Sequence, residues 1–219
     1  MHNPMPHTHP QPYEPVQWPA GNRTLLTPRS KRLDVDVVAL LEQRQTRREF
    51  KSELTDVQLG EFLWLACRSR SSRPGGFSTP QESRPHPSAG GMHPIHVLVA
   101  RPDQPWLRYD PVDHTLVEFP QTQSLAAAAR SAAQHLVPID RGTLLGLLAE
   151  PGKTAAKYAN PHSLVWRDAG VVLGYMSLVA EALGLSYCPL GILGDPFLNS
   201  LLPNDSRLNA AGMAILGNC

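Results

Sequence analysis

Hydrophobic residues recur at the three- and four-residue spacing of an amphipathic helix in several parts of the chain. Asp34 is a suitable N-cap for the first of these segments, and Thr55 with Gln58 has the pattern of a capping box at the start of the second. An alanine-rich stretch predicts a third helix over residues 124–135. The pattern therefore predicts three helices within the first 135 residues.

A fourth predicted helix, over residues 168–185, differs from the others because it is apolar on nearly every side. Gly184 closes it as a stop signal. Such a helix has to be buried all round, and in a domain of this size the simplest cover is a partner subunit. Gly170 and Gly174 lie four residues apart and would let another backbone come close. The helix therefore predicts a homodimer.

Short apolar and alternating runs predict strands between these helices. The run at 143–149 is short and continuous, which favours a buried strand over a helix. Residues 107–109 and 116–119 flank the turn-forming sequence Asp-Pro-Val-Asp and predict a hairpin. Two further strands are predicted at 95–100 and 213–216. Because helices and strands do not alternate regularly, the sequence favours an α+β fold over a doubly wound parallel sheet.

Two segments lack this periodicity. Residues 1–30 hold seven of the 22 prolines, and we interpret them as a flexible or polyproline-like arm, outside the core, that precedes a folded domain at residues 31–219. His7 and His9 in this arm are not interpreted as a metal site, because two histidines on a mobile arm seldom form one. Residues 69–91 are rich in serine, arginine, proline and glycine, and long loops of this kind are usually functional or disordered.

Composition excludes several classes of protein. The 219 residues carry 20 basic and 19 acidic side chains, and the net charge of +1 argues against a nucleic-acid binder held by phosphate contacts. No apolar run reaches the roughly 18 residues of a membrane span. Residues 1–19 lack the basic and apolar regions of a secretory signal. The three cysteines are far apart, which argues against disulfides and a zinc site and favours a cytoplasmic location.

Four segments are candidates for a binding or catalytic site. The first is the run at residues 44–48, in which Arg44 and Arg48 would share one helix face and form an anion site with the Thr46 hydroxyl. A solvated helix end is the alternative. The second is Pro-Ser-Ala-Gly-Gly at residues 87–91, where the glycines let the backbone approach a ligand or simply turn the chain.

The third candidate is the neighbouring pair Lys157 and Tyr158. Only four of the 20 basic residues are lysines, so a lysine within a motif is less often a chance occurrence in this sequence. Either side chain can move a proton, and a surface location is the alternative. The fourth candidate is the sequence Cys-Pro-Leu-Gly at residues 188–191. It is either a helix stop or a stretch that presents backbone N–H groups to a ligand beside Gly191.

These segments, taken in order, resemble the flavin-dependent nitroreductase superfamily over residues 34–217. Within the superfamily, the second and third segments are most similar to the SagB/McbC-type azoline dehydrogenases of ribosomal peptide maturation. The motifs are Arg-x-Thr-x-Arg-x-Phe from Arg44, Pro-Ser-Ala-Gly-Gly-x-x-Pro from Pro87, Lys-Tyr at 157–158, Arg-Asp-Ala-Gly from Arg167 and Ala-Leu-Gly-Leu-x-x-Cys-Pro-Leu-Gly from Ala182.

The resemblance implies an α+β homodimer with a central, mostly antiparallel sheet flanked by helices, and with one FMN in each active site built from both subunits. It assigns the FMN phosphate and ribityl chain to Arg44, Thr46 and Arg48, and Gln45 lies at a position that often also contacts the flavin. It assigns the isoalloxazine ring, from the other subunit, to Pro87, Ser88, Ala89 and Gly90. It assigns the other edge of that ring to Pro189, Leu190 and Gly191.

For Lys157 and Tyr158 the resemblance implies catalysis. One of them would remove the ring proton alpha to the carbonyl of a thiazoline or oxazoline in a peptide, while a hydride passes to FMN N5 and the ring becomes aromatic. Two alternatives stay open. One is an NAD(P)H-dependent nitro- or quinone reductase that takes a small-molecule substrate, and the other is a non-catalytic partner in a biosynthetic complex. Arg47 and His93 depart from the family pattern.

Overall fold

A seven-stranded sheet forms the centre of the fold. The structure is a computed structural model that describes residues 2–28, 33–75, 80–203 and 205–219. The strands along the chain are β1 (Met5–Pro6), β2 (Arg23–Leu25), β3 (Ser71–Arg73), β4 (Gln81–Ser83), β5 (Ile95–Ala100), β6 (Leu107–Asp110), β7 (Thr115–Glu118), β8 (Thr143–Ala149), β9 (Tyr158–Ala159), β10 (Leu185–Leu190) and β11 (Asn209–Asn218). The helices are α1 (Val37–Gln43), α2 (Asp56–Cys67), α3 (Gln123–Gln134), α4 (Pro151–Ala155) and α5 (His162–Ala182).

The central sheet has the strand order β10-β11-β8-β5-β6-β7-β2, and each neighbouring pair is antiparallel. Successive residues of a strand point to opposite faces, so the sheet divides the core into two layers. Val97 and Leu147 pack on the side of α2 and α5, whereas Leu98 and Leu148 pack on the side of α3. The predicted α+β class and the antiparallel sheet flanked by helices are confirmed.

Most predicted elements are present at the expected places. The capping box at Thr55 and Gln58 begins α2, and the hairpin β6–β7 and the buried strand β8 lie where the sequence predicted them. The first helix begins two residues later than expected, because Asp36 and not Asp34 is its N-cap. Strand β11 extends well beyond the four residues that the apolar run predicted.

The long helix α5 starts at His162, six residues before the predicted start, because the turn at Pro161 already leads into it. Gly184 follows the helix with a φ of 65° and ends it as expected. Within one chain α5 buries a single face, while Gly170 and Gly174 are exposed and a β-carbon on either would have no neighbour within 4 Å. Cover of this second face by a partner subunit stays a prediction.

The stretch at residues 69–91 is not a plain loop. Strands β3 and β4 pair in it as a short antiparallel hairpin, and Ala89–Gly91 forms a 3-10 turn. Residues 76–79 lie outside the described residues. Short strands of this kind have no apolar alternation, so the hydrophobic pattern could not reveal them.

The proline-rich segment lies against the domain over its described residues 2–28, whereas the sequence suggested an arm outside the core. Strand β1 pairs with β9, β2 is the edge strand of the central sheet, and Val16 and Leu26 are buried. Residues 29–32, where the arm was expected to join the domain, lie outside the described residues. Nowhere in the described part of the chain does a helix have the length and apolar character to cross a membrane.

Candidate active site

The turn at residues 88–91 is tied to α5 by one buried carboxylate. The Ser88 hydroxyl donates to Asp168 Oδ2 over 2.6 Å, and the Ala89 N–H donates to Asp168 Oδ1 over 3.0 Å. The Ser88 oxygen also accepts a hydrogen bond from the His93 N–H at 2.9 Å. Burial raises the pKa of Asp168, and the hydrogen bonds from Ser88 and Ala89 oppose that rise. The Ser88 hydroxyl is therefore engaged in holding the turn itself.

Lys157 and Tyr158 lie against this turn at Gly90. Lys157 Nζ donates to the Gly90 carbonyl oxygen over 3.2 Å. A β-carbon on Gly90 would lie 2.8 Å from both Lys157 Cδ and the Tyr158 hydroxyl oxygen, so only glycine lets these side chains approach the backbone so closely. The structure thus brings together the second and third candidate segments, which are 67 residues apart along the chain.

An open polar cleft of about 490 Å³ borders this junction. Gly90, Gly91 and Lys157 line one side of it, and the hairpin β3–β4 lines the other. The hairpin contributes Ser71, Arg73, Gln81, Glu82 and Ser83. A ligand in this cleft would therefore meet hydrogen-bonding groups from the hairpin while it lies beside Lys157.

The arginine segment at 44–48 is not helical, so the predicted shared face of Arg44 and Arg48 is wrong. Helix α1 ends at Gln43, and Arg44 turns the backbone away with φ −55° and ψ 121°. The Arg47 guanidinium forms a bidentate ion pair with Glu181 near the end of α5, with Nη2 2.8 Å from Oε1. The backbone N–H of Arg47 donates to the Tyr187 carbonyl oxygen over 3.1 Å.

Glu181 interacts with several residues of this segment. Its pKa lies below the usual range because of the hydrogen bonds from Arg47, with further contributions from the Gln45 N–H and the positive charge of Arg44. Arg47, which departs from the family pattern, is therefore the residue that fastens the segment to α5.

Arg48 joins the first and fourth candidate segments. It lines one cleft of about 380 Å³ with Gln45, Arg47, Lys51 and Ser186. It also lines a neighbouring cleft of about 380 Å³. That second cleft is bordered by Leu136, Val137, Cys188, Pro189, Leu190, Gly191 and Ile192. Burial raises the pKa of the Cys188 thiol, and the charge and hydrogen bond of Arg48 oppose this rise, so the guanidinium lies at the entrance to the fourth segment.

The predicted site residues thus form two groups within one chain. One group is Arg48 with Gln45 and residues 189–191, and the other is Gly90 with Lys157 and Tyr158. Among the described residues, the clefts of the first group share no lining residue with the cleft at Lys157, and Arg44 and Thr46 line none of the three. Pro87 and Ala89 belong to the second group through the turn.

Lys153 is a residue that the sequence analysis passed over. It is half-buried on α4, four residues before Lys157, and its Nζ donates to the His93 carbonyl oxygen over 3.1 Å. Burial, followed by the charge of Arg84, lowers the pKa of Lys153 to about 8. The scarcity of lysine singled out Lys157 and applied equally to Lys153, so this signal was present in the sequence.

The comparisons with known proteins agree on one fold. Residues 41–217 match the family model described as Nitroreductase family. No curated protein matches the chain. A protein of Ralstonia eutropha JMP134 assigned as a nitroreductase is 22% identical with a TM-score of 0.74, over 100% of this chain and 99% of that chain.

Two further solved structures share the fold at lower similarity. A chain of the E. coli microcin synthetase McbBCD complex, with truncated pro-MccB17 bound, is 20% identical with a TM-score of 0.59, over 90% of this chain and 78% of that chain. An FMN-dependent nitroreductase from Clostridium difficile R20291 is 15% identical with a TM-score of 0.52, over 83% of this chain and 87% of that chain.

Proposed function

Because the chain belongs to the Nitroreductase family, and is thereby an oxidoreductase of that family, we propose that it is an FMN-dependent dehydrogenase of azoline rings in peptides. The observation that carries this proposal is the junction of Lys157, Tyr158 and Gly90, in which Lys157 lines an open polar cleft and the Tyr158 hydroxyl packs against the same glycine. The likeness to a chain of the McbBCD complex supports the same class of substrate.

The two clefts around Arg48 have the chemistry that FMN requires. The first offers the cationic side chains Arg48 and Lys51 beside Glu49, and an arginine fork suits a phosphate dianion. In the second, Gly191 has no neighbour within 4 Å of a would-be β-carbon, so a flat ring can lie directly against the backbone. The residues present therefore fit the cofactor. Gln45, Arg48 and residues 189–191 would hold it, and Arg44 and Thr46 are proposed from the resemblance alone.

The side chains at the junction would move the proton. Lys157 or Tyr158 takes the proton from the ring carbon alpha to the carbonyl, and a hydride leaves the adjacent ring carbon, so that a carbon–carbon double bond forms and the ring becomes aromatic. Bound FMN supplies the two-electron acceptor for that hydride, with dioxygen as the final oxidant. The Gly90 carbonyl orients Lys157 Nζ toward the cleft edge while the Tyr158 hydroxyl lies beside it.

We also propose that the protein is a homodimer in which α5 is the central helix. The two groups of site residues are separate in one chain, so a complete site would combine the Arg48 group of one subunit with the turn at 88–91 of the other. A biosynthetic partner enzyme that presents the peptide belongs to the same proposal, and the McbBCD complex supports it as an assembly of this kind.

The first test is the flavin. The purified protein is expected to be yellow, to bind one FMN per chain and to lose its visible absorption on reduction. A colourless preparation that takes up no added FMN would overturn the proposal and leave the non-catalytic alternative. Rapid anaerobic bleaching by NAD(P)H, with no turnover of a synthetic thiazoline peptide, would instead identify the reductase.

The second test is the base. Lys157→Met and Tyr158→Phe remove the proton-accepting groups with little change of volume. We expect at least one of them to lower thiazoline oxidation by roughly 100-fold or more, the range of general base catalysis. Flavin content serves as the control, because neither side chain belongs to the Arg48 group. Full activity of both variants would refute the assignment.

A further inference from the structure

The N-terminal residues 5–16, here named the strap, run antiparallel to residues 150–159 and contact them at several positions. Strand β1 pairs with β9, with Met5 opposite Ala159 and Pro6 opposite Tyr158. The His7 N–H then donates to the Lys157 carbonyl over 2.9 Å. The strap therefore touches the backbone of both proposed catalytic residues.

The strap continues toward α4 with the same kind of contact. The His7 ring nitrogen Nε2 lies 3.1 Å from the Ala155 carbonyl, and the Gln11 N–H donates to the Ala156 carbonyl over 2.8 Å. Together with the bond at Lys157, these contacts satisfy three successive carbonyl groups at the end of α4. Helix ends leave such carbonyls without partners in their own helix, so the strap supplies what the short helix lacks.

Glu150 anchors the far end of the strap. Its carboxylate is 1% exposed, and Oε1 accepts hydrogen bonds from the Tyr13 hydroxyl at 2.8 Å and from the Val16 N–H at 2.7 Å. The other oxygen lies 2.7 Å from His96 Nε2. Burial raises the pKa of Glu150, but the hydrogen bonds from His96, Val16 and Tyr13 outweigh it and bring the value to about 2. The anchor is thus an ionised carboxylate with three donors.

Gly152 lets the strap approach closely. Its α-carbon faces the ring of Tyr13, and any β-carbon at this position would overlap that ring. The tyrosine therefore packs against the first turn of α4 while its hydroxyl donates to Glu150. This close fit, made of a glycine, a tyrosine and a buried carboxylate, indicates that the strap has one defined register on the domain.

From these contacts we propose that the strap is a positioning element, anchored by Glu150, that holds the backbone of Lys157 and Tyr158 so that both side chains meet the turn at Gly90. The two residues lie between the strap on one side and Gly90 on the other. The inference rests on the proposed function insofar as Lys157 and Tyr158 carry the chemistry. The positioning itself is measurable without turnover.

The test compares two proline substitutions in the full chain. His7→Pro removes the N–H that donates to Lys157 and the ring that contacts Ala155, because proline has no amide hydrogen. His9→Pro is the matched control, since His9 is exposed and has no contact with residues 150–159 among the described hydrogen bonds. Hydrogen exchange of residues 155–159 and pulse acetylation of Lys157, both read by mass spectrometry, are measured for both variants.

We expect His7→Pro to speed exchange over residues 155–159 and acetylation of Lys157 at least fivefold, and His9→Pro to change neither. With a synthetic thiazoline peptide, His7→Pro is expected to lower kcat roughly tenfold while KM and flavin content stay within twofold of the parent. A strap that merely stabilised the fold would lower the melting temperature and leave kcat per folded molecule unchanged. That result, or equal exchange in both variants, would overturn the proposal.

Glu150 gives an independent variant pair. Glu150→Gln keeps an oxygen acceptor for Tyr13 and Val16, whereas Glu150→Ala removes it. The glutamine variant is expected to retain kcat and Lys157 reactivity to within about threefold, and the alanine variant to behave like His7→Pro. If the parent protein itself fails to oxidise the peptide, the proposed function falls. Exchange and acetylation then still decide whether the strap positions Lys157.

Discussion

At the scale of single residues, two adjacent glycines in the turn at 88–91 have different roles. Gly90 and Gly91 both have left-handed backbone, with φ of 62° and 69°. A β-carbon on Gly90 would collide with Lys157 and Tyr158, whereas one on Gly91 would have nothing within 4 Å. The same left-handed conformation therefore occurs at both positions, but only Gly90 is in close contact with Lys157 and Tyr158.

This difference predicts the effects of two alanine substitutions. Gly90→Ala and Gly91→Ala each place a side chain at positive φ, which costs about 1–2 kcal/mol of unfolding free energy. Only Gly90→Ala also displaces Lys157 and Tyr158, so we expect it to lower peptide oxidation more than tenfold further than Gly91→Ala. Denaturant unfolding and steady-state kinetics of the pair measure this. Equal activity of the two variants would contradict the junction as the catalytic position.

Three histidines near this turn, two of them buried and His96 largely buried, make the folded state sensitive to acid. Burial is the main cause that lowers the pKa of His86 to about 4, of His93 to about 2 and of His96 to about 4. Arg84 lowers all three further, and Lys153 lowers those of His93 and His96, whereas Glu150 raises that of His96. The three rings stay neutral in the fold while the unfolded chain takes up protons below about pH 6.5.

We therefore expect stability to fall as the pH decreases from about 6.5 to 4. A histidine whose pKa is lower in the folded than in the unfolded protein contributes its full stability above the unfolded pKa and loses that stability as the pH falls below it. The loss is up to about 1.4 kcal/mol of unfolding free energy for each histidine and each pH unit. Glu150 continues the loss in the same direction between about pH 4.5 and 2. Urea unfolding at pH 7.5, 6.5 and 5.5 measures the slope. A free energy of unfolding that is constant over this range would show that these histidines are accessible to protons in the fold.

At the scale of elements, the segment at 44–48 shows how one ion pair redirects a motif. The sequence predicted a helix end with Arg44 and Arg48 on one face, but α1 stops at Gln43. Arg47 binds Glu181 on α5, and the extended backbone then turns Arg48 toward Cys188. The position of Arg48 is therefore determined by contact between α5 and this segment, and not by helical spacing.

Arg47→Ala is expected to loosen this segment. Removal of the fork leaves the largely buried Glu181 carboxylate without its main partner, which costs about 1–3 kcal/mol of unfolding free energy. We also expect FMN affinity to fall roughly tenfold, about 1.4 kcal/mol, because Arg48 loses its support. Calorimetric FMN titration and denaturant unfolding measure the two effects.

Two further variants control this prediction. Arg47→Lys should recover only part of the FMN affinity, since a lysine cannot form the fork. Arg141→Ala removes an exposed arginine elsewhere and should leave both quantities unchanged. Unchanged FMN binding by Arg47→Ala would show that Arg48 holds its place without the pair.

At the scale of the whole molecule, one face of α5 lies open. Val172, Met176 and Ala180 are buried against the sheet, whereas Gly170 and Gly174 face outward. Exposed apolar side chains also lie on α1, at Val37, Val38 and Leu41. Adjacent apolar surfaces of this kind support the prediction that a second copy of the chain covers them.

Gly174→Leu tests this prediction. The single chain has open space for the side chain, and leucine favours a helix interior over glycine by about 1 kcal/mol, so the folded monomer should be at least as stable. A close-packed dimer cannot accept it. We expect the parent to have a mass of twice 24.0 kDa and the variant 24.0 kDa, with loss of bound flavin.

Light scattering coupled to gel filtration measures the mass, and Ser131→Leu on the exposed side of α3 is the control. The control variant should remain a dimer with its flavin. A parent protein that is monomeric, or a Gly174→Leu dimer that keeps its flavin, would exclude α5 as the interface.

The sequence by itself determined the elements with strong local signals. The capping box of α2, the hairpin β6–β7 and the buried strand β8 depend on neighbouring residues, so their patterns predicted them. The order of the candidate segments likewise sufficed to predict the family and its fold. Proline content, in contrast, suggested a loose arm, because composition records the absence of core residues in a segment and not the hydrogen bonds that its backbone makes.

Only the tertiary structure decided which segments meet. The contact between Gly90 and Lys157 spans 67 residues, and that between Tyr13 and Glu150 spans 137. No periodicity carries such information, because these contacts depend on where the sheet and α5 place the ends of distant elements. Local interactions within a few residues determined helices and strands, whereas long-range packing and buried charge determined the grouping of the candidate site.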